Sequence, residues 1–340
     1  MKKLNLVAMI DGTWNDYESG TNVRRLHDAI VQGRPYVIDG GDVEYVTRAN
    51  YERGPGTSPD VKLTGGAFAS DLARAIGHSY DWLATRAANM EPEDGEAQVW
   101  LFGFSRGAYS AHVLSWLLSE IGIPREVDLS KEIAEAYVKG GRDAAAELAG
   151  RAGCRPSPPV AFLGLWDAVT APLDIRGNCH DGEVSPIVRC ARHAMAANER
   201  RILFDVMHYT SGMPDDFVQM WFPGVHGDAG GMYEDDRCLS DIALNWMACA
   251  ARARTRPVAA SSRDVGVRLQ RKARARRGLG RVGQQALRGR RRIPLLHREP
   301  RTPRLRLPRG RLGAAGGVLR TVLVACAFFA PARQGGIVMI

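Results

Sequence analysis

Between residues 99 and 118 the chain runs from a short apolar block at 99–102, through Gly103-Phe104-Ser105-Arg106-Gly107, into a stretch with Ala108, Val113, Leu114, Leu117 and Leu118 at helical spacing. A serine with glycine two residues to either side, set between a buried strand and a helix, is the requirement of a nucleophile elbow. The turn is tight enough to lift the hydroxyl above a sheet, and the glycines let helix and strand approach closely. The bland alternative is a structural turn serine. The strand-turn-helix setting favours the catalytic reading and predicts an α/β architecture.

The flanking pattern agrees. Apolar runs at 4–10, 99–102 and 160–166, an alternating segment at 44–51 and a strand pattern at 218–222 are interleaved with helical patterns at 21–33, 68–88, 129–152, 187–200 and 239–251. Alternating strands and helices predict an α/β-hydrolase-like fold, a mostly parallel sheet covered by helices on both faces. In this reading His193 lies mid-helix, and His226 lies in a Gly-rich loop after a strand.

A serine hydroxyl needs a base, and the base a carboxylate to orient it. The chain order expected on this fold is serine, acid, histidine. Asp167 stands where the run 160–166 ends, and His226 follows the strand ending at Phe222. Asp228, two residues from His226, is the rival acid; if both act, Asp167 orients the imidazole and Asp228 holds the loop. His193, His208 and His297 are weaker candidates for the base. One oxyanion donor is expected from the backbone of Arg106. A second is expected from Gly12 or Thr13, in the turn after the first strand, where Asp11 is a supporting residue alongside Gly103 and Gly107. The reaction so built needs no metal and no cofactor.

Charge divides the chain. From residue 251 onward 22 Arg and one Lys face only Asp264 and Glu299, a balance of +21, so residues 1–250 carry −12 of the total +9. The basic character therefore describes a tail, and specific nucleic-acid binding is not expected of the catalytic part. The expected organisation is a catalytic domain at 1–250 and an irregular, low-complexity Arg-rich tail at 251–340. An RNA-binding arm, a disordered basic tail and a shifted reading frame near residue 250 all fit that composition; its abrupt onset favours the frame shift. Six scattered cysteines read as reduced thiols. The start Met1-Lys2-Lys3 leads into an apolar run that Asp11 interrupts after seven residues, so a core strand, with no signal peptide, is expected. The late apolar run at 321–332 is too short for a membrane span.

Five segments in order carry a resemblance: Asp11-Gly12-Thr13-Trp14-Asn15 with Thr21-Asn22-Val23; Gly54-Pro55-Gly56-Thr57; the elbow through Tyr109; Phe162 to Val169; and Trp221 to Gly231. Together they resemble the catalytic domain of the bacterial type VI secretion phospholipase effectors. The resemblance implies ester hydrolysis, with phospholipid or a smaller ester as substrate, and Ser105, Asp167 and His226 on the motif positions. It also implies synthesis in the cytoplasm with export by type VI secretion, and secretion machinery or an immunity protein as partners. Two departures are Pro55 where an aliphatic residue is usual and Ala229 where valine is common. Two rivals remain. Asp11-Gly12-Thr13 resembles the start of magnesium-dependent phosphatases but has Met9 where they have aspartate, and the basic chain could be a catalytically silent protein that binds anionic surfaces.

Overall fold

A computed structural model describes residues 2–30, 36–37, 43–56, 65–90, 95–170 and 180–255. The Arg-rich tail beyond Thr255, Thr57 of the second motif, and His297 lie outside the described residues.

The elements are β1 (Lys2–Ile10), α1 (Asn22–Ala29), β2 (Tyr36–Val37), β3 (Glu44–Glu52), α2 (Gly65–Ala88), β4 (Glu96–Phe104), α3 (Arg106–Glu120), α4 (Ser130–Arg151), β5 (Val160–Trp166), β6 (Cys190–Ala196), β7 (Asp216–Phe222), α5 (His226–Gly230) and α6 (Cys238–Thr255). The sheet order is β2-β3-β1-β4-β5-β6-β7. Six strands are parallel, and the two-residue β2 pairs antiparallel with β3 at the edge.

The period of two along the strands divides the core. Leu4, Leu6, Ala8 and Ile10 of β1, with Val99 and Leu101 of β4, face the layer built from α2, α3 and α4. Val7 and Met9, with Trp100, Phe102 and Phe104, face the opposite layer with Val23 and Leu26 of α1 and Leu244 and Met247 of α6. Because both faces are covered, the central strands are apolar at nearly every position, and this makes them visible as unbroken runs.

One expected helix is a strand. Residues 190–196, inside the helix expected at 187–200, form β6, hydrogen-bonded between β5 and β7. The sequence Cys-Ala-Arg-His-Ala-Met-Ala has the alanine content of a helix, but the slot between two parallel strands and two helical layers overrides that propensity. Six of its seven residues are buried. His193 therefore sits in the sheet. A smaller difference is that His226 opens the short helix α5 rather than lying in a loop.

The chain runs outward from β1 to β3 on one side, then returns to β4 and proceeds to β7 on the other. Strand order reverses between β1 and β4, and in an open parallel sheet the crevice at the carboxyl ends of such strands is where ligands bind. The register pairs Ile10 with Gly103, which sets the turn 11–13 beside Ser105.

Candidate active site

Ser105 stands between β4 and α3 with φ 57° and ψ −125°, a left-handed backbone rarely adopted by a residue with a side chain. Backbone hydrogen bonds hold it there. Its N–H donates to the Trp166 carbonyl at 2.9 Å, and its own carbonyl accepts from the N–H groups of Ala108 at 3.1 Å and Tyr109 at 3.2 Å. The glycines make the close approach feasible. A Cβ on Gly107 would stand 2.2 Å from the Asp11 carbonyl oxygen, and one on Gly103 would stand 2.3 Å from the Gly107 carbonyl oxygen.

From that turn Ser105 Oγ lies 2.8 Å from His226 Nε2, and His226 Nδ1 lies 2.7 Å from Asp167 Oδ2. All three residues are buried. Asp167 follows β5 with φ 44°, a second strained residue at the site. Its other oxygen, Oδ1, accepts the Ala196 N–H at 2.7 Å, so both carboxylate oxygens have fixed partners. Asp228 has a different partner: its Oδ2 accepts the Val225 N–H at 2.8 Å, closing the start of α5.

The turn after β1 is held from beneath by Asp11. This buried carboxylate accepts from the Gly12 N–H at 2.7 Å, Thr21 Oγ1 at 2.6 Å and the Tyr51 hydroxyl at 2.6 Å. Burial, opposed by these hydrogen bonds, raises its pKa to about 6. The Gly12 N–H is thereby engaged, while the Thr13 N–H has no acceptor among the described residues. Of the two donors expected from this turn, Thr13 is the one available. Arg106 opens α3, where first-turn N–H groups point out of the helix end.

Several residues that sequence reasoning did not place complete the surroundings. Phe104, between Gly103 and Ser105, lays its ring 4.7 Å from the His226 ring, and a Cβ on Gly230 or Gly12 would strike it at 2.1 or 2.8 Å. Phe204 meets the other side of His226 edge-on at 4.8 Å. Glu199 accepts the His226 N–H at 3.2 Å and pairs with the Arg201 guanidinium at 2.9 and 2.7 Å. Hydrogen bonding to Arg201 holds its pKa far below the usual carboxylate range. His193 Nε2 accepts the Ala168 N–H at 3.0 Å, steadying the residue after Asp167, and burial lowers its pKa to about 4, which keeps the ring neutral for that purpose. Asn22 of α1 donates to the carbonyls of Ala229 and Ser240 at 3.0 and 3.2 Å, tying α5 to the rest of the fold. A cavity of about 390 Å³ opens beside Asp167, walled in part by Ile202, Phe204, Val206 and Trp221.

Among the described residues no three His, Cys, Asp or Glu side chains gather as metal ligands, and the Asp11 carboxylate of the phosphatase-like motif is occupied by its three donors.

The sheet order, the elbow and the crevice at the strand ends make this an α/β hydrolase. A family model described as the catalytic domain of Tle1-like phospholipase effectors of the type VI secretion system (T6SS) matches residues 4–250, and the chain belongs to that family. Among solved structures it is similar to the Tle1 effector bound to the VgrG spike of the type 6 secretion system, at 20% identity over 67% of this chain and 51% of that one, with a TM-score of 0.42. An uncharacterized protein from Pseudomonas aeruginosa aligns at 17% identity over 75% of this chain and 46% of that one, TM-score 0.42. The peroxisomal α/β-hydrolase Lpx1 of Saccharomyces cerevisiae aligns at 9% identity over 83% and 87%, TM-score 0.30. The chain thus spans about half the length of the first two. No curated protein sequence matches it.

Proposed function

We propose that residues 1–250 form a serine esterase that cleaves carboxylic esters of phospholipids through an acyl-enzyme. The observation that carries this reading is the unbroken hydrogen-bonded line from Ser105 Oγ through the His226 imidazole to Asp167, at 2.8 and 2.7 Å, on a strained elbow.

In this mechanism His226 Nε2 takes the hydroxyl proton as Ser105 Oγ bonds to the ester carbonyl carbon. The charge that moves onto the carbonyl oxygen is met by the backbone N–H groups of Arg106 and Thr13. Collapse breaks the bond to the leaving alcohol, which receives the proton from His226. Water then attacks the acyl-serine by the same steps, releasing the carboxylic acid and restoring the Ser105 hydroxyl. Asp167 keeps the Nδ1–H tautomer and stabilises the imidazolium. The apolar wall of the cavity beside Asp167 suits an acyl chain. Family membership supports phospholipid as the substrate, and the secretion machinery as the partner that would carry the domain out of the cell.

The test is labelling of the full chain by a fluorophosphonate probe, beside Ser105→Ala, followed by fatty-acid release from phospholipid vesicles. Labelling lost in the variant, with acid released by the wild type, is the expected result. An unlabelled but folded wild-type protein would return the reading to a silent, anionic-surface binder.

A further inference from the structure

Thr13 carries two hydrogen-bond donors, and among the described residues neither has a partner. The residue is only 7% exposed, yet its Oγ1 meets no hydrogen-bonding atom and its N–H meets no acceptor. The rest of the turn after β1 is engaged. The Asp11 N–H donates to the Glu52 carbonyl at 2.9 Å, the Gly12 N–H to Asp11 Oδ1 at 2.7 Å, the Trp14 N–H to the Pro55 carbonyl at 2.9 Å and the Asn15 N–H to the Gly12 carbonyl at 2.9 Å. A buried hydroxyl left without a partner is destabilising, so a turn this closely bonded that withholds both donors of one residue calls for a function.

That turn lies against the nucleophile from both sides. A Cβ on Gly12 would stand 2.8 Å from the Phe104 ring, and one on Gly107 would stand 2.3 Å from the Ile10 carbonyl oxygen, so the chain at 10–12 is wedged between the neighbours of Ser105. The second loop then fixes how Thr13 is turned. Gly54 packs so closely that a Cβ on it would stand 1.6 Å from the Gly12 carbonyl oxygen, and a Cβ on Gly56 would stand 3.4 Å from the Thr13 methyl carbon. The methyl therefore faces residues 54–56, and the hydroxyl, the other arm of the same branched Cβ, is turned away from them. β-Branching leaves that arrangement little freedom at χ1.

We propose that the Thr13 side-chain hydroxyl is a third oxyanion donor, meeting the developing negative charge beside the backbone N–H groups of Thr13 and Arg106. The inference rests on the esterase reading above and adds a catalytic side chain to it. Its selectivity for the transition state follows from lone pairs. A carbonyl oxygen has two, which the backbone N–H groups fill, whereas the tetrahedral oxyanion has three. The third donor finds its full partner only once Ser105 Oγ has bonded to the carbonyl carbon, and a contact made only then raises kcat without tightening substrate binding. Burial of Ser105 and His226 makes such a bond stronger than it would be in water.

The experiment compares the full chain with Thr13→Val and Thr13→Ser on a soluble chromogenic ester. Valine keeps the branched shape without the hydroxyl, and serine keeps the hydroxyl without the methyl. Thr13→Val is expected to lose about 10²-fold in kcat with KM little changed, as follows removal of one oxyanion donor. Its rate of labelling by a fluorophosphonate, whose phosphoryl oxygen takes the oxyanion position, should fall by a similar factor. Thr13→Ser should stay within about tenfold of the wild type. Thr13→Val should also melt no lower than the wild type, because the hydroxyl it lacks had no hydrogen bond to give up. A hydroxyl with a purely structural role would show the reverse, an unaltered kcat and a lowered melting temperature. Equal loss of kcat in both variants overturns the proposal by assigning the effect to shape, and so does a raised KM at unchanged kcat. A wild type that neither hydrolyses the ester nor takes the label overturns the esterase reading and the proposal with it. A labelled, active wild type matched in kcat by Thr13→Val overturns the proposal alone.

Discussion

Asp167→Asn changes one atom, and the surrounding hydrogen bonds dictate what that atom does. Asp167 Oδ1 accepts the Ala196 N–H at 2.7 Å and Oδ2 accepts from His226 Nδ1 at 2.7 Å. An asparagine can satisfy Ala196 only by turning its carbonyl that way, which aims its NH2 group at Nδ1. The imidazole must then accept at Nδ1 and carry its proton on Nε2, so it donates to Ser105 instead of receiving the serine's proton. The flipped amide avoids this but sets two donors against each other in a buried site, at a cost of about 1–3 kcal/mol. Loss of base function by the wrong tautomer is worth about 10³- to 10⁴-fold in kcat, or about 4–5.5 kcal/mol in the barrier. The assay is kcat and KM on a soluble chromogenic ester, with thermal unfolding to show that the variant is folded. Asp228→Asn serves as comparator: it keeps an acceptor for the Val225 N–H, so less than about a tenfold loss is expected. A folded Asp167→Asn enzyme retaining more than about a tenth of wild-type kcat/KM, or an Asp228→Asn enzyme as damaged as it, would refute the assignment.

Glu199→Gln should lower kcat on a soluble ester about tenfold with little change in KM, because it loosens the backbone of His226 and not a substrate contact; a raised KM with unchanged kcat would speak against a positioning role. Asp11 has a folded pKa raised from 3.8 to about 6, so its ionisation opposes folding: the stability tied to this group is complete below about pH 4 and is lost as pH rises through about 6. Against Asp11→Asn, the wild type should therefore lose about 3 kcal/mol of unfolding free energy across that window, measured by urea titration at several pH values, and parallel curves would exclude it. Gly107→Ala forces a Cβ to within 2.2 Å of the Asp11 carbonyl oxygen, where only backbone can yield, and should cost about 3 kcal/mol in thermal unfolding along with most of the activity. Gly150→Ala, with nothing within 4 Å of its Cβ, should be neutral or stabilise α4 by up to about 1 kcal/mol.

The central strands are readable because burial on both faces leaves few polar positions: 4–10, interrupted only by the buried Asn5, and 160–166 are apolar runs, and both lie within parallel strands as expected. The same circumstance concealed β6. A strand buried on both faces shows no alternation, and alanine is the residue that most favours a helix, so Cys190–Ala196 lacked both signals that would mark a strand. Arg192 added to the confusion. A charged residue in the run fits a helix face as readily as a strand, whereas its guanidinium reaches sideways to Asp216 on β7 at 2.5 Å. The two-residue β2 is too short to leave a pattern at all.

The strand at 190–196 accounts for most of the difference between expectation and structure around the site. Ser105, Asp167 and His226, the proposed triad, each stand just past the carboxyl end of a strand, and on an open parallel sheet such positions converge on one crevice. Glu199 and Phe204 obey the same rule, since they follow β6. A helix at 187–200 gives them no strand end to follow, so the sequence alone does not place them. A mid-helix His193 is a weak candidate for the same reason, whereas from the strand its ring braces the residue after Asp167. What no strand assignment could have supplied is the engagement of the Gly12 N–H by Asp11. That choice between two adjacent donors depends on a buried carboxylate whose other partners, Thr21 and Tyr51, lie 10 and 40 residues further along the chain. In the proposed mechanism the serine, base and acid follow from local pattern and topology, whereas the oxyanion donor and the support of the base follow from packing.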